Sequence, residues 1–402
     1  MRAIPTSGVE LEARVQRLFI AQGVFAERHL YPSASPDHRM LATDIDVLVS
    51  EYVSGFQVTR RHAECKGGKT PLLDRILWLS GVKKLLGADG SYLITSDFDT
   101  EASDFARSLD IELLTIQQLT ASEAAIPIPH DVWPCRSDYR CYDAARTAWT
   151  KLSRTEDRAT NWQSLRQGLG FIEIDSWLTF RYRLLNRLLR LIGEIARGYE
   201  GTRSDQNREL CSRYLFSALL VRFCQYLLAV CQDVARLPLT DIGNYLCQRL
   251  TYGDQDPAHV SGLIKATVDW VKQELGKKGV TLPAETDLSK LYEPPQYIDA
   301  FIELTNRLFE QSYESRYLTI ATETIQFGGS EIDSNFPKLK GAATAGDALA
   351  ALVKGFVIRT FSVPKALAEP VARDMRAKYC SATDHAAKSR DHSGDQLSLQ
   401  TP

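Results

Sequence analysis

Asp46, Glu64 and Lys66 are the residues whose types and spacing carry chemistry. They fall in two β-rich runs, TDIDVLV (43–49) and FQVTRRHAECK (56–66), joined through Ser54-Gly55 and read as antiparallel neighbours. Side chains alternate across a strand, so Asp44, Asp46 and Leu48 share one face of the first run, and His62, Glu64 and Lys66 share one face of the second. Such a hairpin sets Asp46 and Glu64 side by side, and two carboxylates there repel unless a cation lies between them. Hard oxygen ligands of this kind suit Mg²⁺ or Mn²⁺, with water completing the octahedron. Lys66 adds a compact positive charge next to that ion. The set suits phosphodiester hydrolysis: the metal lowers the pKa of a bound water, and the ammonium orients it or offsets charge developing on the phosphate.

Several elements must hold these residues in place. Leu11, Val15, Leu18 and Phe19 have the spacing of an amphipathic helix over 9–22, with Gly23 as its stop. Glu10 and Glu12 lie about 200° apart on that helix, so only one can face the hairpin; Glu12, one turn from Gln16 beside the apolar stripe, is the choice. A polar loop through Tyr31-Pro32 and Ser35-Pro36 is expected next. After the hairpin come a helix over 72–86, a strand over 90–96, a helix over 100–109 and a strand over 111–116. That order describes a compact α/β unit.

Asp46 followed by Glu64-Cys65-Lys66, preceded by a helix bearing Glu12 in GVELEARVQRLF, resembles the PD-(D/E)XK nuclease superfamily, nearest to its Mrr-type restriction endonuclease branch. GSYLITSDFDTEASDFARSLDIELLTIQQL (90–119) is similar to the strand-helix-strand ending of that core, and the resemblance covers about residues 8–120. It implies a restriction-endonuclease-like α/β fold, a mixed central sheet flanked by helices. It also implies that Asp46 and Glu64 hold Mg²⁺ or Mn²⁺, that Lys66 assists the attacking water, and that Glu12 joins the metal shell directly or through water. Cys65 faces the core and offers the metal only its backbone carbonyl. Ile45 stands where the family's named pattern has a proline before the Asp, a common variation.

The chain has a net charge of −2, so any nucleic-acid surface must be local. One segment qualifies: over 60–84, Arg60, Arg61, Lys66, Lys69, Arg75, Lys83 and Lys84 against Glu64 and Asp74 give a local charge of +5. Arg60, Lys69, Lys83 and Lys84 are therefore expected to contact a phosphate backbone, with Gln16 and His62 reaching substrate from the helix and strand that carry the triad. Gly67-Gly68 either admits a phosphate close to the backbone or ends the strand.

Beyond residue 122 a Pro-rich connector (123–135) leads into a mainly α-helical region, 136–381, and then a polar tail, 382–402, read as disordered. The longest helical patterns are 177–196, which carries Arg181, Arg183, Arg187 and Arg190, and 209–235; others lie around 256–275, 296–312 and 345–360. The apolar run 214–231 contains Arg222 and Gln225, which favours a buried bundle helix over a membrane span. No GxxxxGK[ST] or HExxH pattern occurs, so this chain brings no nucleotide motor. The eight dispersed cysteines read as reduced thiols, and the N-terminus lacks a secretory pattern, so a cytoplasmic protein is expected. The resulting expectation is a metal-dependent endonuclease, acting on DNA in defence against foreign or phage DNA, with the helical region recognising DNA, sensing a trigger or binding a partner. Double-strand cleavage normally needs two active sites, which is compatible with a homodimer; a partner protein that regulates activity is the alternative. The rivals are an RNA-cutting effector using the same site, a non-catalytic adaptor that grips nucleic acid or a partner, and a membrane-associated helical protein.

Overall fold

The computed structural model describes residues 8–32, 43–68, 71–126, 129, 131–155, 162–175, 177–279, 293–329 and 332–380. Helix α1 (Gly8–Ala21) buries Leu11, Val15 and Ile20. It stops at Gly23, whose φ of +81° is a left-handed value that glycine tolerates. Strands β1 (Phe25–Pro32), β2 (Ile45–Tyr52) and β3 (Val58–Cys65) follow, then α2 (Leu72–Leu86), β4 (Gly90–Thr95), α3 (Thr100–Ser108), β5 (Ile111–Thr115) and α4 (Ile116–Ala124). They form a mixed five-stranded sheet in the order β5-β4-β3-β2-β1, antiparallel from β1 to β3 and parallel from β3 to β5. A two-residue strand, β6 (Ile174–Asp175), adds to β1 in parallel. One sheet face packs against α1 and the helical remainder; α2 and α3 cover the other with two smaller apolar clusters around Val82 and Leu79.

The hairpin and the elements after it match the expected order. The difference is β1, expected as a loop through Tyr31-Pro32. Its Glu27 and Arg28 are buried, an arrangement tolerable only because both find counter-charges from distant parts of the chain. Arg28 pairs with Asp143 at 3.0 Å. The Glu27 carboxylate receives Arg222 at 3.1 Å, the Gln225 amide at 3.1 Å and Arg136 at 3.4 Å. Arg136 in turn pairs with Glu323 at 2.8 Å.

Those partners come from the helical region: α5 (Tyr139–Thr155), α6 (Trp162–Ile172), α7 (Trp177–Gly198), α8 (Gln206–Val234), α9 (Leu239–Tyr252), α10 (Pro257–Lys277), α11 (Ile298–Glu310), α12 (Ser312–Ser315), α13 (Leu318–Phe327), α14 (Ile332–Asn335), α15 (Pro337–Phe361) and α16 (Ala372–Met375). Helix α8 is the axis, buried along nearly its whole length with α6, α7 and α13 around it. By length and apolarity α8 and α15 would each suffice to cross a membrane, but α8 is fully enclosed by protein. The arginines of α7 largely find partners within the fold: Arg181 meets Asp233 at 3.2 Å, Arg187 lies over Phe171 and Arg190 pairs with Glu194.

A continuous apolar cluster runs from Leu11 and Val47 through Trp149 and Phe223 to Met375, so the sheet and the helices share a core. The described residues of the Pro-rich connector pack against the fold. Trp133 and Cys135 are buried, and Arg17 of α1 donates to the Pro129 and Val132 carbonyls at 2.6 and 3.0 Å. The reading of all cysteines as reduced thiols is also corrected: Cys141 of α5 and Cys380 form a disulfide, their Cα atoms 5.1 Å apart across 239 residues of sequence. The fold brings them together, and sequence spacing gives no hint of it. The expected disordered tail, 382–402, lies outside the described residues.

Candidate active site

The antiparallel register Val47↔Ala63 carries Asp46 across from Glu64 at its next step. Both carboxylates are buried on the sheet face covered by α2, with Glu64 only 2% exposed. Asp46 Oδ2 accepts the Cys65 backbone N–H at 2.7 Å, which pins the carboxylate to the end of β3. Lys66 Nζ lies 2.7 Å from Glu64 Oε1 and 3.5 Å from Asp46 Oδ2, so the ammonium bridges the pair. Arg75, from the first turns of α2, reaches the same Glu64 oxygen at 3.2 Å while stacking over Trp78. Arg75 counts in sequence only as part of a basic segment; its place in the site depends on where α2 begins.

Glu12 of α1 lies near enough to Asp46 to feel its charge, and its close contact is with His29. One of its carboxylate oxygens, Oε2, is buried without a hydrogen-bond partner, and His29 Nδ1 stands 3.6 Å from it. Burial first, then the Asp46 charge, raises the Glu12 pKa to about 7, against the pull of His29 and Arg28. Glu64 is shifted upward by the same two causes, with Lys66 and Arg75 opposing them. Burial works against the Lys66 ammonium, but its hydrogen bond to Glu64 and the Asp46 charge hold its pKa above the usual value. Asp44 is exposed beside the site and is pushed upward by partial burial and by Asp46. Asp46, Glu64 and Glu12 are carboxylates of the kind that Mg²⁺ or Mn²⁺ takes, but their oxygens do not all lie within 4.8 Å of one another; among the described residues the one such group of three is Asp138, Cys141 and Cys380, two of which form the disulfide. The Cys65 side chain packs in the core, as expected.

His29 and Asp143 are the residues that sequence reasoning missed. His29 falls opposite Asp46 in the β1–β2 register, between Arg28↔Val47 and Leu30↔Ile45, but does not pair there and has a φ of +55°. This left-handed value is uncommon for a non-glycine residue and turns the side chain to lie 3.6 Å from both Glu12 and Asp143. The only available signal was a histidine inside an alternating run.

The predicted nucleic-acid contacts are largely not brought to the site. Gln16 is buried, donating to the Ala26 carbonyl at 2.9 Å and accepting from Arg28 at 2.7 Å. Arg60 is 2% exposed, with its backbone N–H on Asp89 and its guanidinium directed at the Leu86 carbonyl. His62 is fully buried, edge-on to Trp78 and 3.9 Å from Glu64, and burial, then Lys66, lowers its pKa to about 3. Lys83 pairs with Asp110 at 2.9 Å, and it and exposed Lys84 sit about 12 Å further along α2 than Arg75, at the opposite end of the sheet. Local positive charge predicted these contacts, but charge in sequence does not tell a buried arginine from a surface one. Lys69 lies outside the described residues.

No family model, curated protein or solved structure matches this chain.

Proposed function

We propose that the chain is a Mg²⁺- or Mn²⁺-dependent endonuclease built on a PD-(D/E)XK-like core, cutting DNA in defence against foreign DNA. The observation that carries this reading is the buried pair Asp46 and Glu64, opposed across β2 and β3 and bridged by Lys66, with Glu12 close enough to feel the Asp46 charge and one of its oxygens without a hydrogen-bond partner. A bound divalent ion would supply an acidified water and an electrophile for the phosphate oxygens. Asp46 and Glu64 would hold that ion, the first clamped by the Cys65 N–H and the second by two cations. Lys66, about one-third exposed at its side chain, is the group able both to face substrate and to offset charge on a phosphate in the transition state. The choice of DNA and of defence rests on the resemblance to Mrr-type nucleases.

One observation favours a second reading, a non-catalytic nucleic-acid-binding adaptor. Lys66 and Arg75 already meet Glu64, and two internal cations reduce its need for a metal. Incubation with plasmid DNA, linear DNA and RNA in Mg²⁺, Mn²⁺ or EDTA separates these readings. Metal-dependent DNA cleavage is expected. Cutting confined to RNA makes the chain an RNA-directed effector, and binding without cleavage in any metal makes it an adaptor.

A further inference from the structure

A cleft of about 620 Å³ opens at His29, on the side of the helical region. Its walls are Val9 of α1, His29 of β1, Glu173, and one face of α5. The α5 residues are Asp143, Arg146, Thr147, Thr150, Lys151 and Arg154, whose spacing of three, four, seven, eight and eleven positions marks a single helix stripe. His29 joins this cleft to the site, since it stands 3.6 Å from both Glu12 and Asp143. Both carboxylates of the cleft are engaged by guanidinium groups, Asp143 by Arg28 and Glu173 by Arg146. Lys151 and Arg154 are exposed at the far end, and Thr147 and Thr150 place hydroxyls between.

We propose that this stripe of α5 is the track for the backbone of the DNA strand being cut, leading its phosphates from Arg154 past His29 to the carboxylate cluster. The inference rests on the endonuclease reading and assigns the helical region a direct part in substrate binding. Cations and hydroxyls without an aromatic platform grip phosphates, not bases, so the track carries no sequence preference. From Arg146 to Arg154 the helix rises about 12 Å, enough to follow a short run of neighbouring phosphates on one strand. The basic segment of 60–84 cannot serve the same strand in full, because Arg60 is buried and Lys83 and Lys84 stand at the opposite end of the sheet.

The test is binding of a fluorescent 30-base-pair duplex to the full chain in Ca²⁺ across a salt series, with cleavage assayed separately in Mg²⁺. Lys151→Glu/Arg154→Glu should lower affinity at least tenfold and reduce the slope of log affinity against log salt by about 0.9 for each lost contact. The loss should be the same for duplexes of unrelated sequence. Lys84→Glu should bind as the unmodified protein does. Both altered residues are exposed, and an unchanged melting curve confirms the fold. If the unmodified protein binds and cleaves DNA while the double variant keeps its affinity and slope, the track is overturned and the nuclease reading stands. If only Lys84→Glu weakens binding, the track is likewise overturned in favour of the opposite end of the sheet. If the unmodified protein neither binds nor cuts DNA in any metal, both readings fall together.

Discussion

On β1, Glu27 lies among Arg136, Arg222 and the Gln225 amide, and the arrangement is balanced. Arg136 shows the same balance: burial disfavours its charge, but Glu323 and Glu27 hold its pKa above the ordinary arginine value. On β2 and β3, Asp46 and Glu64 lie at similar depth, but there the carboxylates also face one another: Lys66 and Arg75 meet Glu64, His29 and Arg28 act on Glu12, and burial with the Asp46 charge still raises the pKa of both Glu64 and Glu12. Burial is common to both clusters. What differs is the arrangement of charge, and it separates a seam in which guanidinium groups surround one carboxylate from a cluster in which carboxylates still repel one another.

The largest expected effect tests the unbalanced cluster. Asp46→Ala, Glu64→Ala and Lys66→Ala should each lower plasmid cleavage in Mg²⁺ by about 10²- to 10³-fold with an unchanged circular dichroism spectrum, while Asp44→Ala does much less. Wild-type rates in the Glu64 and Lys66 variants would end the assignment. Next, the balanced cluster: Glu27→Ala leaves Arg222 and Arg136 buried with less to neutralise them and should cost about 3–5 kcal/mol in urea unfolding. A cost under about 1 kcal/mol would mean that the seam is not what joins sheet and helices.

A smaller effect is expected from metal. Mn²⁺ at about one hundred times its Kd should stabilise the protein by roughly 2.7 kcal/mol, and Asp46→Asn should remove the response. Equal stabilisation in that variant would place the ion elsewhere. The smallest effect has the opposite sign to an ordinary core substitution. In EDTA, Asp46→Asn should raise stability by roughly 0.5–1 kcal/mol, because it takes one negative charge from among three while an amide oxygen can still accept the Cys65 N–H. Destabilisation there would show that the cluster is balanced after all.

The hairpin was legible because alternation along a strand is local: once TDIDVLV and RRHAECK are paired, Asp46 and Glu64 must face each other. Helix geometry separated Glu12 from Glu10, and the resemblance alone gave it a role. What stayed hidden depends on contacts far apart in the chain. The polar, Pro-containing stretch through Tyr31-Pro32 reads as a loop, and FAERHLYP is a strand because Arg136, Asp143 and Arg222 arrive more than one hundred residues later. The disulfide between Cys141 and Cys380 was invisible for the same reason. Gln16 and Arg60 were misplaced by the reverse error, in which polar residues serving as internal struts looked like surface available to a ligand.

The seam at Glu27 also bears on how such a chain can be reshuffled. A sheet that keeps a buried glutamate charged by means of guanidinium groups from residues 136 and 222 is no exchangeable cassette. Grafted onto a different C-terminal half, residues 8–124 would carry that carboxylate into apolar contact with no cation to meet it. A successful chimera must therefore bring Arg136 and Arg222 along or first replace Glu27. Recombination within this chain is confined to joints that leave those three residues in one parent.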